Sequence, residues 1–265
     1  MLEAHDIEVH VDGTRLIGPI SLEVTGATWT GLIGPNGSGK TTFLRAIAGL
    51  APHRGSVTVS GIDLDGLDRR ARARRVAYVP QAPNRPPGMS VASYVAAGRT
   101  PHRGYLAAPG SEDAVVVESV LDELDLGPLA SRSVATLSGG ELQRAAIGRA
   151  LAQEPDVLLL DEPTASLDLG HTQEVLRLLD HLRGSRATTV VTALHDLTVA
   201  ARFADHLVLL SHGIAVAAGV PAAILRPEVI RTHYGAKVHV LTDPAGDVAV
   251  VPDTTTGTEP RRSAT

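Results

Sequence analysis

Gly34-Pro35-Asn36-Gly37-Ser38-Gly39-Lys40-Thr41-Thr42 is the stretch on which the reading of this chain turns. It follows a short apolar run, Trp29 to Ile33, that reads as a strand. It precedes Phe43 to Leu50, whose apolar residues 43, 47 and 50 recur at helical spacing. Strand, glycine-rich loop and helix in that order is the context that G-x-x-x-x-G-K-[ST] requires. Glycines at 34, 37 and 39 let the backbone wrap closely round an anion. The N–H groups of the loop and of the helix start are unpaired and point the same way, which makes a phosphate cradle. Lys40 adds a mobile cation for the outer phosphates, and the hydroxyl of Thr41 is placed to ligate Mg²⁺.

The 265 residues suit one large domain, or one domain with a sub-domain. Hydrophobic residues at 43% and charged residues at 20% are those of an ordinary globular protein. A net charge of −5 argues against nucleic acid as a partner, because such proteins carry a basic footprint. With no cysteine, disulfides and thiolate metal sites are excluded. No apolar run approaches the ~20 residues of a membrane span. Met1 to Asp6 has neither the basic nor the apolar region of a signal peptide, so the expectation is a cytosolic chain.

Before the loop, Ile7, Val9, Val11, Ile20, Leu22 and Val24 alternate around Asp12-Gly13, which predicts a β-hairpin or meander. A second β stretch, Ser56 to Ser60, follows. The basic run Arg69 to Arg75 reads as a solvated helix face. Val76 to Pro80 is a strand with Gln81 just beyond its tip, where ligands are met in open α/β sheets; Gln81 is equally a plain loop residue. From Ala82 to about residue 150 the texture is that of an inserted helical sub-domain. It holds a Pro-rich loop at 83–88, a helix from Ser90 to Ala97 and a loop from Gly98 to Gly104. A second helix follows, with Ser111 as candidate N-cap.

A second glycine turn, Leu137-Ser138-Gly139-Gly140-Glu141, opens a helix. Ser138 suits a cap, the glycines leave N–H groups bare, and Glu141 suits Arg144 at i+3; alone, an ordinary capped helix is the favoured reading. Val157 to Leu160 reads as a buried strand running into Asp161-Glu162-Pro163. Adjacent strand residues face opposite ways, but Pro163 ends the strand and frees both acids to turn to one site. Asp161 suits Mg²⁺ and Glu162 suits a water. Ser166 to Asp168 leads into a helix on Val175, Leu178, Leu179 and Leu182. Thr188 to Leu194 is another core strand, with His195 at its tip; the other histidines read as surface or loop residues. A hairpin at 207–218, a small appendix at about 219–252 and a disordered tail at 253–265 complete the expectation.

Taken as an ordered set, these motifs resemble the ATP-binding subunit of an ABC transporter, over residues 1 to about 252 read as a single domain. The resemblance implies an α/β P-loop NTPase core with a mostly parallel sheet, an N-terminal antiparallel β subdomain and an inserted helical subdomain. It implies an ATPase using Mg²⁺, with residues 34–42 and Gln81 on the nucleotide and Lys40, Glu162 and His195 in catalysis. Thr41, Asp161 and Gln81 stand near the metal, Asp168 in the D-loop. Ser138, Gly139, Gly140 and Glu141 are the signature, which acts in trans on the site of a second copy. Implied partners are that copy, an integral-membrane permease at the cytoplasmic face of the membrane and, indirectly, an extracytoplasmic substrate-binding protein. Val79-Pro80-Gln81, Gly98 to His102 and the run from Gly219 to Pro252 are similar to ATPases that energise uptake of ferric siderophores, haem or cobalamin, siderophores first. A non-transport relative acting on DNA or ribosomes would carry a second cassette, coiled coils or basic extensions, and none is visible. A P-loop kinase would not need the signature.

The family usually places an aromatic residue in the N-terminal hairpin to stack on adenine; this sequence has Val11 there, beside His10. Weak discrimination between ATP and GTP is therefore expected in competition binding, and a strong preference for ATP would contradict it.

Overall fold

The computed structural model describes residues 1–104, 108–165, 167–243 and 248–253. Ser166 and the tail expected after Asp253 lie outside the described residues. The first third of the chain runs β1 (Leu2–Val11), β2 (Thr14–Val24), β3 (Trp29–Ile33), α1 (Lys40–Ile47), β4 (Arg54–Val59), β5 (Ile62–Asp63), α2 (Arg69–Ala73) and β6 (Val76–Val79). Then come α3 (Val91–Ala96), α4 (Ser111–Glu123) and α5 (Gly139–Leu151), joined by 3₁₀ turns. The remainder is β7 (Val157–Asp161), α6 (Leu169–Arg186), β8 (Thr189–Ala193), α7 (Leu197–Phe203), β9 (His206–Ser211) and β10 (Ile214–Gly219), then α8 (Pro221–Ile224), α9 (Pro227–Tyr234), β11 (Val238–Thr242) and β12 (Val248–Pro252).

Six strands form the central sheet in the order β10-β9-β3-β8-β7-β6, parallel except for the edge strand β10. A four-stranded antiparallel sheet, β2-β1-β4-β5, lies beside it. The α/β architecture expected from sequence is therefore the one observed. Strands β3, β7 and β8 are buried at every residue, as parallel strands covered on both faces must be. In β7, Leu158 and Leu160 join the core shared with α5 and α6, whereas Val157 and Leu159 join the core shared with α1 and the antiparallel sheet. Each such leucine contributes about 1.5–3 kcal/mol by leaving water. No helix among the described residues is long and apolar enough to cross a membrane.

Four local readings are corrected. The arginine run does not face solvent as a block. Arg72 donates to the carbonyls of Ala46 and Ile47 at the end of α1 and pairs with Asp65, while Arg75 pairs with Asp156 at 2.9 Å. Helix C-termini leave carbonyls without partners, and a guanidinium supplies them. The expected loop from Gly98 is a 3₁₀ turn, Ala97–His102, with Arg99 only 2% exposed. The N-cap of α4 is Gly110 rather than Ser111, because Asp113 reaches back to the Gly110 N–H at 3.1 Å. Glu141 does not pair with Arg144. It turns back to accept from the Ser138 N–H at 2.7 Å, and Arg144 pairs with Glu174.

Arg99 ties the helical region together. It donates to Asp113 at 2.9 Å, to the Ala152 carbonyl at 2.9 Å and to Glu154, and Arg103 holds the second oxygen of Asp113 at 3.0 Å. The Arg99 hydrogen bond, then that of the Gly110 N–H, bring the Asp113 carboxyl from 3.8 down to about 2. A depressed carboxyl contributes stability above its unfolded value and loses it as pH falls through the folded one. Asp113→Asn is thus expected to lower the melting temperature at pH 7, with the gap from wild type closing between pH 4 and 2. A gap that stays constant over that window would contradict this assignment.

Candidate functional site

Because β3, β6, β7 and β8 are parallel, their C-terminal tips emerge on one edge, where the chain places Gly34, Gln81, Asp161 and His195. A cleft of about 480 Å³ opens there, lined by Asn36 to Thr42, Gln81, Glu162 and His195, with Leu16 and Ile17 of β2 as its apolar wall. Pro35 carries a loop carbonyl that closes the Ser38 N–H at 3.1 Å.

The loop backbone is one that only glycine permits at two points. Gly34 and Gly39 have φ of +148° and +102°. A Cβ at Gly34 would collide with the Leu210 carbonyl, and one at Gly39 with Cγ2 of Ile17. The Ser38 hydroxyl is buried without a hydrogen-bond partner, a donor left over inside the cradle. Lys40 is not the free-swinging cation expected. It is 5% exposed, and its ammonium donates to the carbonyls of Gly34 at 2.7 Å and Pro35 at 3.3 Å. Burial pushes its pKa down, against the pull of Glu162 and Asp161. An ammonium has three donors, so one remains for an anion in the loop.

Asp161 is 3% exposed. One of its oxygens accepts from the Thr41 hydroxyl at 2.9 Å and the other from the Tyr78 hydroxyl at 3.0 Å. Tyr78 pairs in register with Leu159, so its side chain lies diagonal to Asp161 on the same face of the sheet. Burial, then Asp161, push the Tyr78 phenol well above its ordinary pKa. The hard oxygens of Thr41 and Asp161 at the mouth of an anion cradle fit Mg²⁺. Thr42 lines the cleft one residue further on.

Glu162 turns into the cleft by a route the sequence did not reveal. Its φ is +48°, and its N–H donates to the Ala193 carbonyl at 3.2 Å. That left-handed step, rather than Pro163 alone, lets Asp161 and Glu162 serve one site. Gln81 donates to one Glu162 oxygen at 2.7 Å, and Nε2 of His195 contacts the other.

Ser138, Gly139, Gly140 and Glu141 do not line this cleft. Ser138 caps α5 and is exposed with Gly139. Gly140 is buried under the ring of His171, where a Cβ would stand 2.6 Å from Cδ2. His171 in turn meets Asp168 at 2.8 Å, and Asp168 caps α6. Arg85, from the Pro-rich loop, donates to the Leu137 carbonyl at 2.6 Å. Tyr78, His171, Arg85 and Leu16 escaped the sequence reading. Only His171 left a trace there, standing three residues after a helix-capping Asp. Val11, at the aligned stacking position, is half exposed, and so is Leu16 on the cleft wall.

Gly39→Ala is expected to weaken nucleotide binding at least about tenfold, because the strain of its φ adds to the collision with Ile17. Equilibrium titration that returns wild-type affinity would contradict the cradle geometry.

The model of the ABC transporter family matches residues 17–165. The cobalamin import ATP-binding protein BtuD of Halobacterium salinarum is 41% identical over 253 residues, covering 95% of this chain, which spans 63% of that longer protein. The ferric enterobactin transport ATP-binding protein FepC of Escherichia coli is 38% identical over 88% of this chain and 87% of its own length. Among solved structures, the ATP-binding cassette MJ0796, a dimer in a post-hydrolysis state bound to ADP and Pi, superposes with a TM-score of 0.73 at 27% identity. The match covers 83% of this chain and 99% of that one. With a glycine cradle, two acids at one strand tip and a family match over more than half its length, this chain belongs to the ABC transporter family.

Proposed function

We propose that this chain is the ATP-hydrolysing subunit of an importer, working as a pair of copies beneath an integral-membrane permease on the cytoplasmic face of the cell membrane. An extracytoplasmic binding protein delivers the cargo to that permease. The cargo is an iron–siderophore complex in the first place, with haem and cobalamin next. The relatives named for cobalamin import and ferric enterobactin transport favour that group.

One observation carries the reading. The cradle, the hard-oxygen pair and an acid suited to water share one cleft, while the second glycine turn stays exposed elsewhere on the chain. A bound triphosphate is thus held from one side only, and a second copy offers its exposed Ser138 and Gly139 to the other side. The dimeric cassette structure is in keeping with such a pair.

The chain's residues divide the work. Loop N–H groups and the free donor of Lys40 hold the β- and γ-phosphates. Thr41 and Asp161 hold Mg²⁺, with Gln81 beside it, and the metal supplies Lewis-acid stabilisation of phosphate charge. Glu162 takes the proton of the attacking water or orients it, and His195 contacts the γ-phosphate. Both Glu162 oxygens are already engaged, by Gln81 and His195, so activating a water requires one of these two to give way to substrate. Asp168 and Glu141 hold the turns that meet the second copy: Asp168 caps α6, and Glu141 closes the Ser138 cap.

Glu162→Gln is expected to leave nucleotide binding intact and slow hydrolysis by on the order of 10²–10⁴. Phosphate release assayed with the permease present measures this, and an unaltered turnover would remove Glu162 from the catalytic role.

A further inference from the structure

Residues 221–252 lie beyond the stretch matched by the family model, and the described ones do not line the cleft. They reach its supports through β12, which runs beside α7. The Val250 N–H donates to the Thr198 hydroxyl at 3.0 Å, and that hydroxyl donates back to the Val250 carbonyl at 3.4 Å. Thr198 stands in the first turn of α7, where Asp196 accepts from the N–H groups of Thr198 at 2.8 Å and Val199 at 3.1 Å. His195 is the residue before Asp196. The β12 backbone, one hydroxyl and one capping carboxylate therefore lead without a break to the imidazole that touches Glu162.

We infer that β12 braces the phosphate-binding edge, with Thr198 as a positioning residue. Thr198 fixes His195 through the first turn of α7. The inference rests on the ATPase reading above. His195 is 45% exposed at its side chain, so little packing holds it and its backbone sets its place. Misplacement of a reacting group by about 1 Å costs up to roughly 10²-fold in rate.

The test uses the full chain with its permease, Mg²⁺ and ATP, with turnover counted per bound nucleotide so that an unfolded fraction does not imitate the effect. Thr198→Val is expected to lower turnover by roughly three- to tenfold with nucleotide affinity within about twofold of wild type, and Thr198→Ser to restore it. Wild-type turnover in Thr198→Val overturns the brace. An unaltered chain that binds ATP but never hydrolyses it refutes the ATPase reading, and the brace with it.

Discussion

Parallel pairing of five strands is the constraint from which the site follows. In a parallel sheet every strand ends on the same edge, so residues far apart in sequence leave the fold as neighbours. The register of β7 against β8 puts Asp161 opposite Ala193, two residues before His195. That of β6 against β7 puts Val79 opposite Leu160, two residues before Gln81. The apolar faces of those strands are fully buried, which specifies the register, since a slip of one residue would turn Asp161 into a core. Chemistry at the edge and packing at the centre are one requirement.

Two polar arrangements then refine the edge. Asp161 is held by Thr41 on one side and Tyr78 on the other, so both its oxygens have fixed directions. Glu162 sits in a left-handed conformation between Gln81 and His195, with its backbone tied to β8. A strained residue at such a point persists only where its surroundings over-determine it. Here the burial of Asp161 and the pairing of β7 with β8 do so. The resulting acid is preorganised but engaged.

Much of this was legible in the sequence because it is local. The glycine loop, its Lys and Thr, and the acidic strand end announce themselves within a few residues. The antiparallel hairpin and the parallel strands show in their apolar spacing. What stayed hidden depends on partners distant in the chain. Tyr78 matters only once β6 is known to lie beside β7, and Arg72 only once α2 meets the end of α1. Arg99 read as a loop residue because its three acceptors come from α4 and the segment after α5. Composition cannot distinguish a solvated arginine from one that caps another helix. Nor does any pattern in sequence foretell the positive φ of Glu162, a residue type that avoids that region.

In the proposed pair, the exposed glycine turn of one copy completes the cleft of the other. Sedimentation of Glu162→Gln chains under saturating Mg²⁺ and ATP, with and without Gly139→Asp, is the decisive check. A shift to twice the monomer mass is expected for the single variant, lost on adding Gly139→Asp while each monomer still binds nucleotide. A single variant that stays monomeric at saturation even with its permease, or a pair that forms equally well with Asp at 139, would contradict it.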